Sequence, residues 1–359
     1  MQVSGSKMKL YVDHYCEIAD MLAQWTTQEF YGFEQLTIEP GATYVVGRVQ
    51  LRDNAEQIRR IVTERTARVI FSNPAEGSET FVQHLRMYGV EDLVLAGLLP
   101  VVVGGPVPDA YPHMLYEHFL TQPFRYDENC RAADRMHEIF EKKHKPYKFL
   151  FLNGRSRPHR RALLNEFEQR GLLSQSLWTN LDTHAGPVHL LPPAYEVEQF
   201  QPHMATNEQG FVKPQLFNNL WGEIYIRSEP YIDTYFSVVT ETVFDYPHSF
   251  RTEKIAKPLA QGHPWIAVAN AGFYRDMHNL GFETFSHVID ESFDSIDSPR
   301  DRISRIVAIV DDLCGQDMLQ LLAACESVCK YNQQHLRTMS QKWQRELPSR
   351  FFDFLTKHS

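Results

Sequence analysis

The sequence is short of the features that would place a chain in a membrane, outside the cell or along a nucleic acid. No apolar run approaches the roughly 20 residues that span a bilayer. The amino terminus lacks a signal peptide's charged-then-apolar layout, so a soluble, cytoplasmic chain is expected. Cysteine is scarce: the five residues Cys16, Cys130, Cys314, Cys325 and Cys329 are odd in number and form no C-x-x-C pair, which excludes a disulfide framework. Cys325 and Cys329 stand one helical turn apart, but no His or Cys pair accompanies them at ligand spacing. Basic excess is missing too, and a formal charge of −9 argues against a broad nucleic-acid surface while leaving room for a local basic groove. Gly104-Gly105-Pro106 is not a G-x-G-x-x-G fingerprint, and Asp311-Asp312 lies in a helical tail rather than in a D-x-D motif. Neither a cofactor nor a metal is therefore expected.

What the chain does have is apolar content, 43% of 359 residues, sufficient for two cores. Short β-branched runs alternate with amphipathic stretches, the pattern that builds parallel α/β sheets. Strands are expected at 8–12, 44–49, 68–71, 93–95, 99–103, 147–152, 174–178, 236–239 and 264–269. Helices are expected at 54–64, 80–88, 127–145, 158–170, 253–261, 272–280, 298–314 and 316–345. Residues 107–124, rich in Tyr, His, Pro and Phe, have no clear period and read as packing between domains or as the lining of an acceptor cleft. A break near Pro146 divides the chain into two Rossmann-like domains, 1–146 and 147–345, followed by a tail, 346–359.

The stretch 235–285 organises the rest. Its strand closes on Thr240-Glu241; after an aromatic loop Thr252 stands where a helix cap belongs, and Gly262 where the helix stops. Pro258 inside that helix removes one hydrogen bond. Ligands of parallel sheets lie at the carboxyl ends of strands, where Glu241 and the 252–254 cap would both fall. A helix amino terminus is a ready anion site, and Lys254 adds a full charge suited to a diphosphate. Glu253 can accept hydrogen bonds from a vicinal diol such as a ribose. The alternative is that Glu253 only complements the helix dipole and Lys254 is a solvated surface residue.

A second cluster opens the helix expected at 158–170: Asn153-Gly154-Arg155-Ser156-Arg157-Pro158-His159-Arg160-Arg161 follows a strongly apolar strand. Gly154 permits close backbone approach and Pro158 suits a first turn. Arginine's planar fork fits phosphate oxygens, whereas cations at a helix start oppose its dipole, so Arg155, Arg157, Arg160 and Arg161 read as an anion-binding cluster rather than as dipole partners, with Arg155 and Arg157 as the donor contacts. In the first domain, Asp13, His14 and Glu17 follow the opening strand, and Glu76 sits in the loop after the 68–71 strand. Each can equally cap a helix or decorate a turn. Asp182 and His184 fall in a long stretch, 179–228, without a clear period.

Residues 250–264, Phe-Arg-Thr-Glu-Lys-Ile-Ala-Lys-Pro-Leu-Ala-Gln-Gly-His-Pro, resemble the donor-binding signature of α1,3-fucosyltransferase-like glycosyltransferases, in which a Thr-Glu-Lys triplet opens a helix ending in Gly-x-x-Pro. Together with 148–161, the stretch 235–285 also resembles glycosyltransferase-like proteins encoded by bacteriophages, which share the Asn-Gly-Arg and basic turn. Gly262-His263-Pro264 is one residue shorter than the family spacing. The resemblance implies two Rossmann-like domains facing a cleft (the GT-B architecture) and transfer of a hexosyl or pentosyl group from a nucleoside-diphosphate sugar to a hydroxyl. It implicates Asn153, Gly154, Arg155, Glu253 and Lys254 in the donor site. Arg157, Glu241 and Thr252 join them from the reading of the residues. It also suggests that the last helix returns to the first domain through Trp343, Phe351, Phe352 and Phe354.

Neutralising a departing diphosphate is within reach of Arg155, Arg157 and Lys254 without a metal, Lys257 being a lesser candidate. The general base on the acceptor is expected among Asp13, His14 and Glu76. The acceptor is a glycan, a small molecule or a hydroxylated base in phage DNA, and no membrane partner is expected. A DNA-modifying enzyme and a non-catalytic nucleotide-binding module stay open as alternatives.

Overall fold

The computed structural model describes residues 8–13, 16–22, 29–154, 157–181, 187–195, 204–206, 212–214 and 225–358. His14, Arg155, Asp182 and His184 lie outside the described residues. The chain forms two compact units, Met1–His118 together with Gln341–Ser359, and Phe119–Ser340.

In the first unit β1 (Lys9–Asp13), β2 (Glu29–Phe33), β3 (Thr43–Val46), β4 (Arg68–Asn73), β5 (Val101–Val103) and β6 (His113–Leu115) build one parallel sheet in the order β2-β1-β3-β4-β5-β6. Successive side chains of a strand point to opposite faces. Tyr44, Val46, Val69, Phe71, Val101 and Val103 therefore enter one core, and Val45, Ile70 and Val102 another. A parallel sheet needs cover on both sides. The first core is closed by the helices Ala55–Glu64, through Ile58, Ile61 and Val62, and Ser78–Met87, through Phe81, Val82 and Leu85. The second is closed by Leu347, Phe351, Phe354 and Leu355 from the end of the helix Met318–Lys357, with Trp343 packed beside them. Phe352 is 42% exposed, because a step of about 100° per residue turns it away from the face carrying Phe351.

Several expectations need correction. The strand expected over 44–49 ends at Val46, with Arg48 and Val49 opening the helix Arg48–Asp53, and the helix expected over 316–345 runs on to Lys357. Residues 93–95 are not a strand but part of the helix Glu91–Leu95, since three apolar residues do not separate the two states and Glu91 and Asp92 favour a helix start. The helix expected over 127–145 breaks at Arg135 into Asp127–Asp134 and Met136–Glu141. Strand β6 forms inside 107–124, where no period announced it.

In the second unit β7 (Phe149–Asn153), β8 (Ser176–Asn180), the separate antiparallel pair β9 (Met204–Thr206) and β10 (Val212–Pro214), then β11 (Phe236–Thr240) and β12 (Trp265–Val268) follow in chain order. Strands β12-β11-β7-β8 make a parallel sheet in that order. From β7 the helix Pro158–Gln169 leads outward to β8; from β11 the helix Glu253–Gln261 leads outward the other way to β12. The strand order thus reverses between β7 and β11, and a crevice opens outside the carboxyl ends at such a point. Among the described residues no helix is long and apolar enough to cross a membrane.

Candidate functional site

Both junctions flagged in the sequence lie at this reversal, and they are hydrogen-bonded to each other. Thr240, the last residue of β11, donates through Oγ1 to Asn153 Oδ1, the last residue of β7, at 3.0 Å. Thr179 of β8 donates to the Asn153 carbonyl at 3.1 Å. From the helix after β7, Arg160 donates through Nη2 to the carbonyls of Thr240, at 2.9 Å, and Glu241, at 3.2 Å. His159 donates through Nε2 to the Glu241 carbonyl at 3.0 Å and stacks on Phe244. Burial first, and then the Arg160 charge, push the His159 imidazole down to about 3, so it is neutral at physiological pH. Two of the residues in the basic turn are therefore scaffold. Arg157 occupies the helix-cap position and Arg161 is exposed.

The other cap is assembled around Glu241, which is 0% exposed. Its Oε1 accepts from Thr252 N–H at 3.0 Å, and its Oε2 accepts from Thr252 Oγ1 at 2.6 Å and Thr242 N–H at 3.1 Å. Burial raises its pKa against the opposing pull of Lys254 and the Thr252 hydrogen bonds. Thr252 Oγ1 in turn accepts from Lys254 N–H at 3.3 Å, so the Thr-x-Lys start is a true helix cap. Lys254 Nζ pairs with the Glu253 carboxylate and lies 3.3 Å from Thr252 Oγ1. For Glu253, burial pulls the pKa up but the charges of Lys254 and Lys257 outweigh it, leaving the carboxyl below its ordinary value and ionised at neutral pH.

A cavity of about 160 Å³ opens beside this arrangement. It is lined by Asn153, Gly154, Glu253, Lys254 and Lys257 together with Leu150, Leu152, Ser237, Val239, Tyr231 and Pro258. The helical proline thus faces the cavity. Glu241 and Thr252 do not line it; they hold the cap that presents Glu253 and Lys254.

At the carboxyl edge of the first unit's sheet the candidates separate. Asp13 is fully buried and its Oδ2 accepts from Gly47 N–H at 3.1 Å, tying β1 to the end of β3. Glu76 pairs with Arg48 at 3.4 Å, both partly exposed. Glu17 differs from both: its Oε2 is buried with no hydrogen-bond partner among the described residues, and burial, with the nearby carboxylates of Glu76 and Asp13 against the opposing Arg48, pushes it up to about 7. Asn73 Nδ2 and Ser78 Oγ are likewise buried and unpartnered there. The sequence signal for Glu17, an acid just past a strand, was present but did not distinguish it from Asp13.

No protein-family model and no curated protein matches the chain. Among solved structures, a crystal structure of an α1,3-fucosyltransferase is similar to it at a TM-score of 0.42 and 12% identity, over 90% of this chain and 82% of that one. A likeness that weak does not bear on function.

Proposed function

We propose that the protein is a nucleotide-sugar-dependent glycosyltransferase of the GT-B type, with the donor held in the second unit and the acceptor hydroxyl on the first. The observation that supports this most is the meeting of both strand-to-helix junctions at the strand-order reversal, around one cavity rimmed by Asn153, Gly154, Glu253 and Lys254. Glu253 is the ribose contact. Lys254 and the helix amino terminus receive the diphosphate, joined by Arg155 and Arg157 from the facing junction. In transfer, the bond between the anomeric carbon and the diphosphate oxygen breaks and one to the acceptor oxygen forms. The acceptor proton passes to a carboxylate, and the charge that builds on the diphosphate is met by these cations without a metal. Glu17 replaces Asp13 as the better base, because Asp13 is committed to Gly47 and a carboxyl near 7 can both accept and release a proton at neutral pH.

Incubation with a panel of nucleoside-diphosphate sugars, with release of nucleoside diphosphate as the readout, tests the reading. Turnover is expected with at least one donor, and Lys254→Ala is expected to weaken diphosphate binding by about tenfold or more, the value of one lost charge-assisted hydrogen bond. Binding without turnover would make the chain a nucleotide-binding module, and unchanged affinity in the variant would remove Lys254 from the site.

A further inference from the structure

Ser237 lies on β11, opposite Trp265 in register, and lines the cavity. It is 3% exposed. Behind it is His263, 1% exposed, in the turn between the helix Glu253–Gln261 and β12. His263 Nε2 lies 3.0 Å from the Thr234 carbonyl, which can only accept, so Nε2 carries the proton. Nδ1 is then a bare acceptor, and Ser237 Oγ, 2.9 Å away, must donate to it. Burial above all pushes the imidazole down to about 3, with the Lys145 charge acting in the same sense, so this polarity holds throughout the neutral range. The only proton of the Ser237 hydroxyl is committed inward. A cavity ligand that reaches Oγ would meet lone pairs alone.

The cavity's size limits what meets that acceptor. At about 160 Å³ it is smaller than the roughly 300 Å³ at which sites for whole drug-sized ligands begin, so it encloses one ring system rather than a complete sugar nucleotide. Leu150, paired with Ser237 across the sheet, and Val239 and Pro258 add apolar lining to the same cavity.

We infer that Ser237, with its proton locked onto His263, is a specificity-determining residue that selects a planar ring bearing a ring N–H. Under the proposed donor reading, on which this rests, the ring is a base of the uracil or guanine kind. A cytosine- or adenine-type base brings a bare ring nitrogen to the same place, setting acceptor against acceptor and leaving a buried polar group unpaired.

Calorimetric titration of the full chain with UDP, GDP, CDP, ADP, N3-methyl-UDP and N1-methyl-GDP tests this. UDP or GDP is expected to bind about tenfold tighter than its methylated counterpart and than CDP and ADP, the discrimination that one hydrogen bond supplies. Ser237→Ala is expected to collapse the difference, and Ser237→Thr, which keeps the hydroxyl, to retain it. Methylated and parent nucleotides binding alike, or discrimination surviving in a folded Ser237→Ala, overturns the inference alone. Binding of none of the six overturns the donor reading and the inference together, so the two failures are told apart.

Discussion

At the carboxyl edge of the second unit's sheet, Glu241 is wholly buried with both oxygens occupied by Thr252 and Thr242, and His159 and Arg160 clamp the carbonyls beside it. At the same edge of the first unit's sheet, Glu17 Oε2, Asn73 Nδ2 and Ser78 Oγ are buried with no partner among the described residues. Both edges end parallel strands and both are acidic, yet the Glu241 carboxylate is saturated and the Glu17 carboxyl is not; past β12, Asn270 Oδ1 is also buried without a partner among the described residues. The saturated Glu241 carboxylate fixes the cap that presents Glu253 and Lys254 before any ligand arrives, the preorganisation that the proposed transfer would need. Buried polar groups without partners are rare in proteins and are found where something else is to be bound or moved. Under the proposed transfer, the difference would divide holding a donor from handling a proton.

The largest effect is expected from breaking the saturated edge. Glu241→Ala strands Thr252 and Thr242 without their acceptor and should lower unfolding free energy by about 4 kcal/mol, read as the shift of the urea midpoint. A shift no larger than that of Glu17→Gln would erase the contrast between the edges. Acid probes the same unit. The unfolded chain takes up protons near 6.5 that folded His159 and His263 refuse until about 3. Their stabilisation is complete above 6.5 and lost as pH falls below it, by about 2 kcal/mol per imidazole at pH 5. In Glu17→Gln, which removes the opposing titration of that carboxyl, a flat denaturation midpoint between pH 7.5 and 5 would contradict that.

The unsaturated edge titrates in the opposite sense. Glu17 binds its proton more tightly folded, near 7, than at the ordinary 4.5, so it destabilises the fold progressively as pH rises from 4.5 through 7. Glu17→Gln should then be the more stable protein at pH 8 by on the order of 2 kcal/mol, while transfer falls about a hundredfold and the rate loses its dependence on pH near 7. An unchanged pH–rate profile would return the role of base to another group. The smallest effect belongs to Arg161→Ala, an exposed member of the basic turn, expected within about 0.5 kcal/mol of the parent in stability and unaltered in diphosphate binding. Loss of binding there would mean that the arginine cluster acts as a whole.

Much of the local structure was legible. Thr252 and Gly262 bracket a helix because a hydroxyl cap and a left-handed glycine, here at φ 62°, are demanded by unsatisfied backbone groups at its two ends. The alternating Val-rich runs announced β3, β4 and β5, and the terminal aromatics announced an apolar last turn. What misled was context. Arg160 in a run of arginines read as an anion ligand, but the Thr240 and Glu241 carbonyls that it serves come from a strand 80 residues away in sequence. Glu241 read as a possible donor contact, yet its partner Thr252 folds back over it after an eleven-residue separation that carries no periodic signal.

By itself the sequence determined which residues end strands and open helices, since propensity, capping and backbone satisfaction are settled within a few residues. Only the tertiary structure decided that β7 and β11 are neighbours and that their crossovers leave in opposite directions. Pairing between strands depends on side chains meeting across the sheet and on how both faces are covered, and neither is written in local spacing. That decision brings Asn153 to Thr240 and makes one cavity of two separate junctions.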